Sequence, residues 1–307
     1  MLKRMVFHSK VPKEIPIFLF LVGLCTLLAL TTRAFASASN LKVLGTDAAA
    51  IGIMAVGMTM VIITGGIDLS VAAVLAFATL IGGRTIANGN VFLGFVVTLI
   101  VGTACGALNG GLVTIAGVPP IIATLGTLYI LQAAATLLSG GQCIILERNE
   151  LGFIGNGFVP LVIMLSTFAT GYLALRLTRP GRHIYAIGGN EEAARLAGIN
   201  AQRLKLGVYA ASGVLASLAG LVMMGISSTF QANDALGYEL AVIAAVVIGG
   251  TSITGGQGSI IGTLIGVGIS TVLRNGAILV GLDARWAQAI IGAAIFLAVA
   301  ADKLRKR

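Results

Sequence analysis

The chain consists largely of apolar runs long enough to cross a lipid bilayer. Residues 15–32 read "IPIFLFLVGLCTLLALTT" without a single charge, and similar runs recur towards the C-terminal end. About 20 such residues, rising 1.5 Å each, match a hydrocarbon core of roughly 30 Å. Over 307 residues the mean hydropathy is +1.00 and only 10% of residues are charged, which no water-soluble domain of this length sustains. The expected fold is therefore all-α: a polytopic membrane protein of about ten transmembrane helices. The runs fall at residues 15–32, 46–64, 69–87, 91–114, 119–139, 159–178, 206–228, 238–253, 259–279 and 286–301. Residues 1–307 read as one transmembrane domain with no sizeable soluble module.

The formal charge of +9 does not mark a nucleic-acid partner, because the basic residues sit in short patches between apolar runs. Ten spans put both termini on one side. With that side cytoplasmic, 14 of the 20 Lys and Arg fall inside and six (Arg33, Lys42, Arg84, Arg148, Arg274, Arg285) fall outside. The bias orients the chain with both termini in the cytoplasm. A cleavable signal peptide is the other reading of the basic N-terminus followed by "AFASA". The apolar run is longer than a signal core, so a retained first helix is expected.

One charge sits oddly. In "VIITGGIDLSVAAVL", residues 61–75, Asp68 follows the pair Gly65-Gly66 between two apolar runs and precedes Ser70. A lone carboxylate in hydrocarbon costs about 3 kcal/mol on insertion scales. Two readings stand: a hairpin turn with Asp68 capping the next helix, or a broken helix lining a cavity. A second "ITGG" at 253–256 falls at another inner turn.

Enzyme chemistry is not visible. There is no phosphate-binding G-x-x-x-x-G-K-[ST] loop, and His8 and His183 lie far apart in expected cytoplasmic segments. Cys25, Cys105 and Cys143 lack metal-ligand spacing, so no metal, cofactor or catalytic residue is expected. The spans carry neutral polar residues near mid-depth instead of the carboxylates that ion-coupled transporters use. Asn109, Thr124 and Gln132 are the candidates for a mildly polar path taken by a neutral, hydroxylated solute, although most such residues serve helix–helix contacts.

The longest inner loop, 179–205, reads "RPGRHIYAIGGNEEAARLAGINAQRLK". Asn190 is a good N-cap, Glu191 and Glu192 suit the positive end of a helix dipole, and Gly198 suits the left-handed residue after its end. Ala193, Ala194 and Leu196 are expected to share a narrow apolar face. A helix this short hardly forms alone, so a partner should pack on it.

Glu192-Ala193-Ala194 followed by Gly198 resembles the coupling-helix motif of permeases in ATP-binding-cassette (ABC) importers. "GMTMVIITGGIDLS" (57–70), "PPIIATLGTLYI" (119–130), "YAIGGNEEAARLAGI" (185–199) and "GYELAVIAAVVIGGTSITGGQGSIIGT" (237–263) resemble the ribose-type sugar permeases of that superfamily. The resemblance implies a non-enzymatic permease subunit that moves a monosaccharide or related polyol. Its implied partners are a cytoplasmic ATP-binding subunit that holds the ATP, a periplasmic solute-binding protein, and a second permease subunit, identical or different. A permease for nucleosides or branched-chain amino acids is the alternative within the superfamily, and an ion-coupled secondary transporter the alternative outside it.

Overall fold

The computed structural model describes residues 14–282 together with 286, 289, 292 and 293. Most of the expected tenth span (286–301), both termini and His8 lie outside the described residues. Twelve helices occur among those described: α1 (Ile15–Thr31), α2 (Ala38–Ile63), α3 (Val71–Ala87), α4 (Val91–Thr114), α5 (Pro120–Ser139), α6 (Gly152–Gly155), α7 (Val159–Leu177), α8 (Arg179–Gly189), α9 (Glu191–Leu196), α10 (Ala201–Ser227), α11 (Tyr238–Ile248) and α12 (Ile260–Leu279). Strands β1 (Ile144–Ile145) and β2 (Thr229–Phe230) form one antiparallel pair, Ile144 opposite Phe230. It ties the loop after α5 to the end of α10.

Six helices (α2, α4, α5, α7, α10 and α12) are long and apolar enough to cross a membrane. α1 and α3 have 17 residues each, about 26 Å of helix and the lower limit for crossing. α11 corrects the expected eighth span, because its 11 residues rise only about 16 Å. The chain then runs through 249–259 without helix before α12 begins. α8 was not anticipated within the 179–205 loop.

The core is a stack of α2, α3, α4 and α10, whose small residues let backbones touch. A Cβ at Gly106 would lie 2.2 Å from the Tyr209 carbonyl oxygen, and one at Gly213 would lie 2.1 Å from that of Gly102. α11 and α12 pack against α2 and each other. Neutral bonds join the spans: Thr59 to Thr263 at 2.8 Å, and Asn40 to Asn275 through two amide hydrogen bonds. Large apolar side chains on α1, α4, α5 and α7 remain exposed, as expected of surfaces that meet lipid or another apolar partner.

Candidate functional site

Helix breaks and the loop helices gather at one end of the bundle. α2 stops at Ile63, where Thr64 to Ser70 form an irregular segment before α3. This segment is not a surface turn. Asp68 is only 2% exposed, and Thr64 and Ser70 are buried with it. Non-helical backbone at such depth is tolerated where protein surrounds it.

Asp68 does not cap α3, whose N-cap residue is Ser70. Its Oδ1 accepts from the Ser70 backbone N–H at 3.0 Å and from Ser70 Oγ at 2.6 Å, which closes a tight local turn. Ser212 Oγ of α10 donates to Oδ2 at 3.4 Å. Asn109 Nδ2 of α4 donates to Ser70 Oγ at 2.7 Å, and Thr127 Oγ1 of α5 donates to Asn109 Oδ1 at 2.5 Å. Thr124 Oγ1 bonds the carbonyls of Pro120 and Ile67. Three helices, α4, α5 and α10, thus hold one seven-residue break.

Of the three path candidates, Asn109 and Thr124 meet at this break with both side chains fully covered. Gln132 lies apart from them and half-buried, with Nε2 bonded to Asn233 Oδ1 at 2.9 Å and to the Ala232 carbonyl at 3.2 Å. Ser70, Ser212 and Thr127 belong to the Asp68 network. Of these, sequence reasoning missed Ser212 and Thr127 as its partners.

At the same end, α8 and α9 form a bent pair. Asn190 Oδ1 accepts from the Ala193 N–H at 2.9 Å as the N-cap of α9. Glu191 forms an ion pair with Lys205 of α10. Gly198 has φ +84°, and the Ile199 N–H reaches back to the Ala194 carbonyl at 3.0 Å, so the helix ends in a left-handed turn. Ala194 packs inward with Ile187 and Ala201. Leu196 is 82% exposed and does not share its face with Ala194, contrary to expectation. Two residues on a helix differ by about 200°, which places them on opposite sides. α9 therefore presents Leu196 outward while Ala194 anchors it.

The family model described as "Branched-chain amino acid transport system / permease component" matches residues 41–299. The chain belongs to this permease family. Ribose import permease protein RbsC of Escherichia coli (strain K12) is 38% identical over 299 residues, 93% of each chain. Its counterpart in Bacillus subtilis (strain 168) is 37% identical across 98% of this permease and 96% of the relative. Fructose import permease protein FrcC of Rhizobium meliloti is 34% identical across 96% of this permease and 86% of the relative. No solved structure matches the permease. It is a multi-pass membrane permease of an ABC-type transport system and not a catalytic enzyme; family membership implies an ATP-binding subunit and a solute-binding protein as partners in general terms.

Proposed function

We propose that this permease imports a monosaccharide or related polyol, with ATP hydrolysed by a separate subunit that docks on α9. One observation carries the docking: a six-residue helix, capped at both ends, that projects an exposed leucine from the end where the bundle's helix breaks gather. Relatives named as ribose and fructose import permeases support the sugar class. Residues 1–307 act as one transmembrane domain, with the α8–α9 end in the cytoplasm and the β1–β2 end facing a periplasmic binding protein. A second permease subunit completes the path. The chain itself needs no cofactor.

The solute meets Gln132, which is half-buried near the β1–β2 end. Asn109 and Thr124 reach the path only when the break they hold moves. Alternating access follows: ATP closes the docked subunits, α9 moves with them, and the breaks reorient the spans.

The family description favours a second reading, a permease for branched-chain amino acids. The test is uptake into proteoliposomes holding permease, ATP-binding subunit and binding protein, with labelled ribose, fructose or leucine. Sugar uptake that requires internal ATP is the expected result. ATP-dependent uptake of leucine alone would establish the second reading. Uptake driven by an ion gradient without ATP would refute both.

A further inference from the structure

The two "ITGG" segments, 63–66 and 253–256, are in contact. The Gly256 N–H donates to the Ile63 carbonyl at 2.8 Å, joining the end of α2 to the loop between α11 and α12. The last turn of α8 is wedged against that bond. A Cβ at Gly188 would fall 1.7 Å from the Ile63 carbonyl oxygen and 2.4 Å from the Gly256 nitrogen. A Cβ at Gly255 would lie 3.0 Å from the Gly188 oxygen and from Gly65 Cα, and one at Gly256 would lie 2.9 Å from Gly189 Cα. Tyr185, one turn earlier on α8, donates its hydroxyl to the Gly258 carbonyl at 3.0 Å. Burial pushes its phenol above the usual value, so it stays a neutral donor at physiological pH.

Three backbones meet here with no side chain between them. Side chains can absorb a displacement by changing rotamer, whereas backbone in van der Waals contact passes it on. Asn190 and α9 follow Gly189 directly, so any tilt of α9 acts on this junction first.

We infer that Gly188 and Tyr185 are positioning residues for transport: they lock α8 onto both helix breaks, so that movement of α9 reorients α2–α3 and α11–α12 together. This rests on the reading of α9 as the docking helix. It adds the route and the simultaneity.

Three variants of the full transporter test it. Gly23→Ala on α1, away from the junction, is the control, because a Cβ there meets open space. Gly188→Ala forces the wedge out, and Tyr185→Phe removes only the bond to Gly258. Control and wild type should match in every readout. Gly188→Ala should capture the ATP-binding subunit at wild-type level yet lose about tenfold in solute moved per ATP hydrolysed, a size typical of coupling free energies. Tyr185→Phe should show the same sign with a smaller loss, and it decides the matter if Gly188→Ala does not accumulate in the membrane. Wild-type solute per ATP in both variants, or in Tyr185→Phe alone where Gly188→Ala is absent, overturns the inference. So does loss of capture in Tyr185→Phe, since α8 would then merely shape the docking helix. Failure of the docking reading looks different: capture would survive removal of the Leu196 side chain.

Discussion

At the scale of single residues, Asp68 is the point where cost and function meet. Among the described residues the one ion pair is Lys205 with Glu191, so no cation offsets this carboxyl group. What holds it is a set of hydroxyls and one backbone N–H. Asp68→Ala leaves Ser70 and Ser212 donors buried without their acceptor, at about 1–3 kcal/mol for a group stranded in this way. The detergent-solubilised variant should melt several degrees lower, and Asp68→Asn, which keeps an acceptor oxygen, should fall less. An alanine variant as stable as wild type would contradict the assignment. The sequence made the acid and the glycine pair conspicuous. It could not reveal that Ser212, 144 positions away, and Asn109 close the network, because a lone serine or asparagine in an apolar run is indistinguishable from ordinary helix–helix glue.

At the scale of elements, α9 was legible because its signals are local: an asparagine cap, two acids in the first turn, and a glycine after the end. Gly198→Val tests the last of these. No atom lies within 4 Å of the added Cβ, so the penalty is torsional, roughly 1–2 kcal/mol for a side chain at positive φ. The variant should accumulate in the membrane normally, fray the end of α9, and capture less ATP-binding subunit in a pull-down. Full capture with full uptake would remove this turn from the mechanism. Two elements were not legible. α8 is too polar for a hydropathy window, and its buried Gly181, Ile184 and Ile187 follow a helical spacing that only an amphipathic reading would catch. α11 failed the other way: Gly249 and Gly250 end the helix after 11 residues, but the strongly apolar run before them carries a hydropathy window on into 251–253, and hydropathy reports composition rather than backbone.

At the scale of the whole molecule, the alternation of spans brings the 64–70 break, the 249–259 loop and the α8–α9 pair to one end, and β1, β2 and α6 to the other. The basic loop 179–205 belongs to the first end, and by the positive-inside rule our proposal is that this end faces the cytoplasm. Native Cys143, exposed beside β1, reports on this without engineering. A membrane-impermeant maleimide added to spheroplasts should label it. In a Cys143→Ser background, Arg195→Cys should label only after permeabilisation. The reverse pattern would invert the molecule and with it the position of α9. The all-α, polytopic character was readable because bilayer thickness imposes a length on every crossing helix, whereas the number of spans was not: six of the expected ten are helices long and apolar enough to cross among the described residues. Nor were the contacts that join the two ends of the mechanism, since backbone packing of glycine on glycine leaves no periodic trace.

The central claim is that energy enters through α9 from a separate ATP-binding subunit, and Leu196→Asp addresses it most directly. Leu196 is exposed in the isolated chain, so the change costs the fold little. In the assembled transporter it would remove an apolar anchor worth about 2 kcal/mol when buried, or about thirtyfold in docking affinity. The measurement is ATP-dependent sugar uptake in membrane vesicles, alongside capture of the ATP-binding subunit. The expected result is a normal amount of permease in the membrane with both uptake and capture reduced by at least about tenfold. Wild-type uptake and capture in this variant would contradict the account.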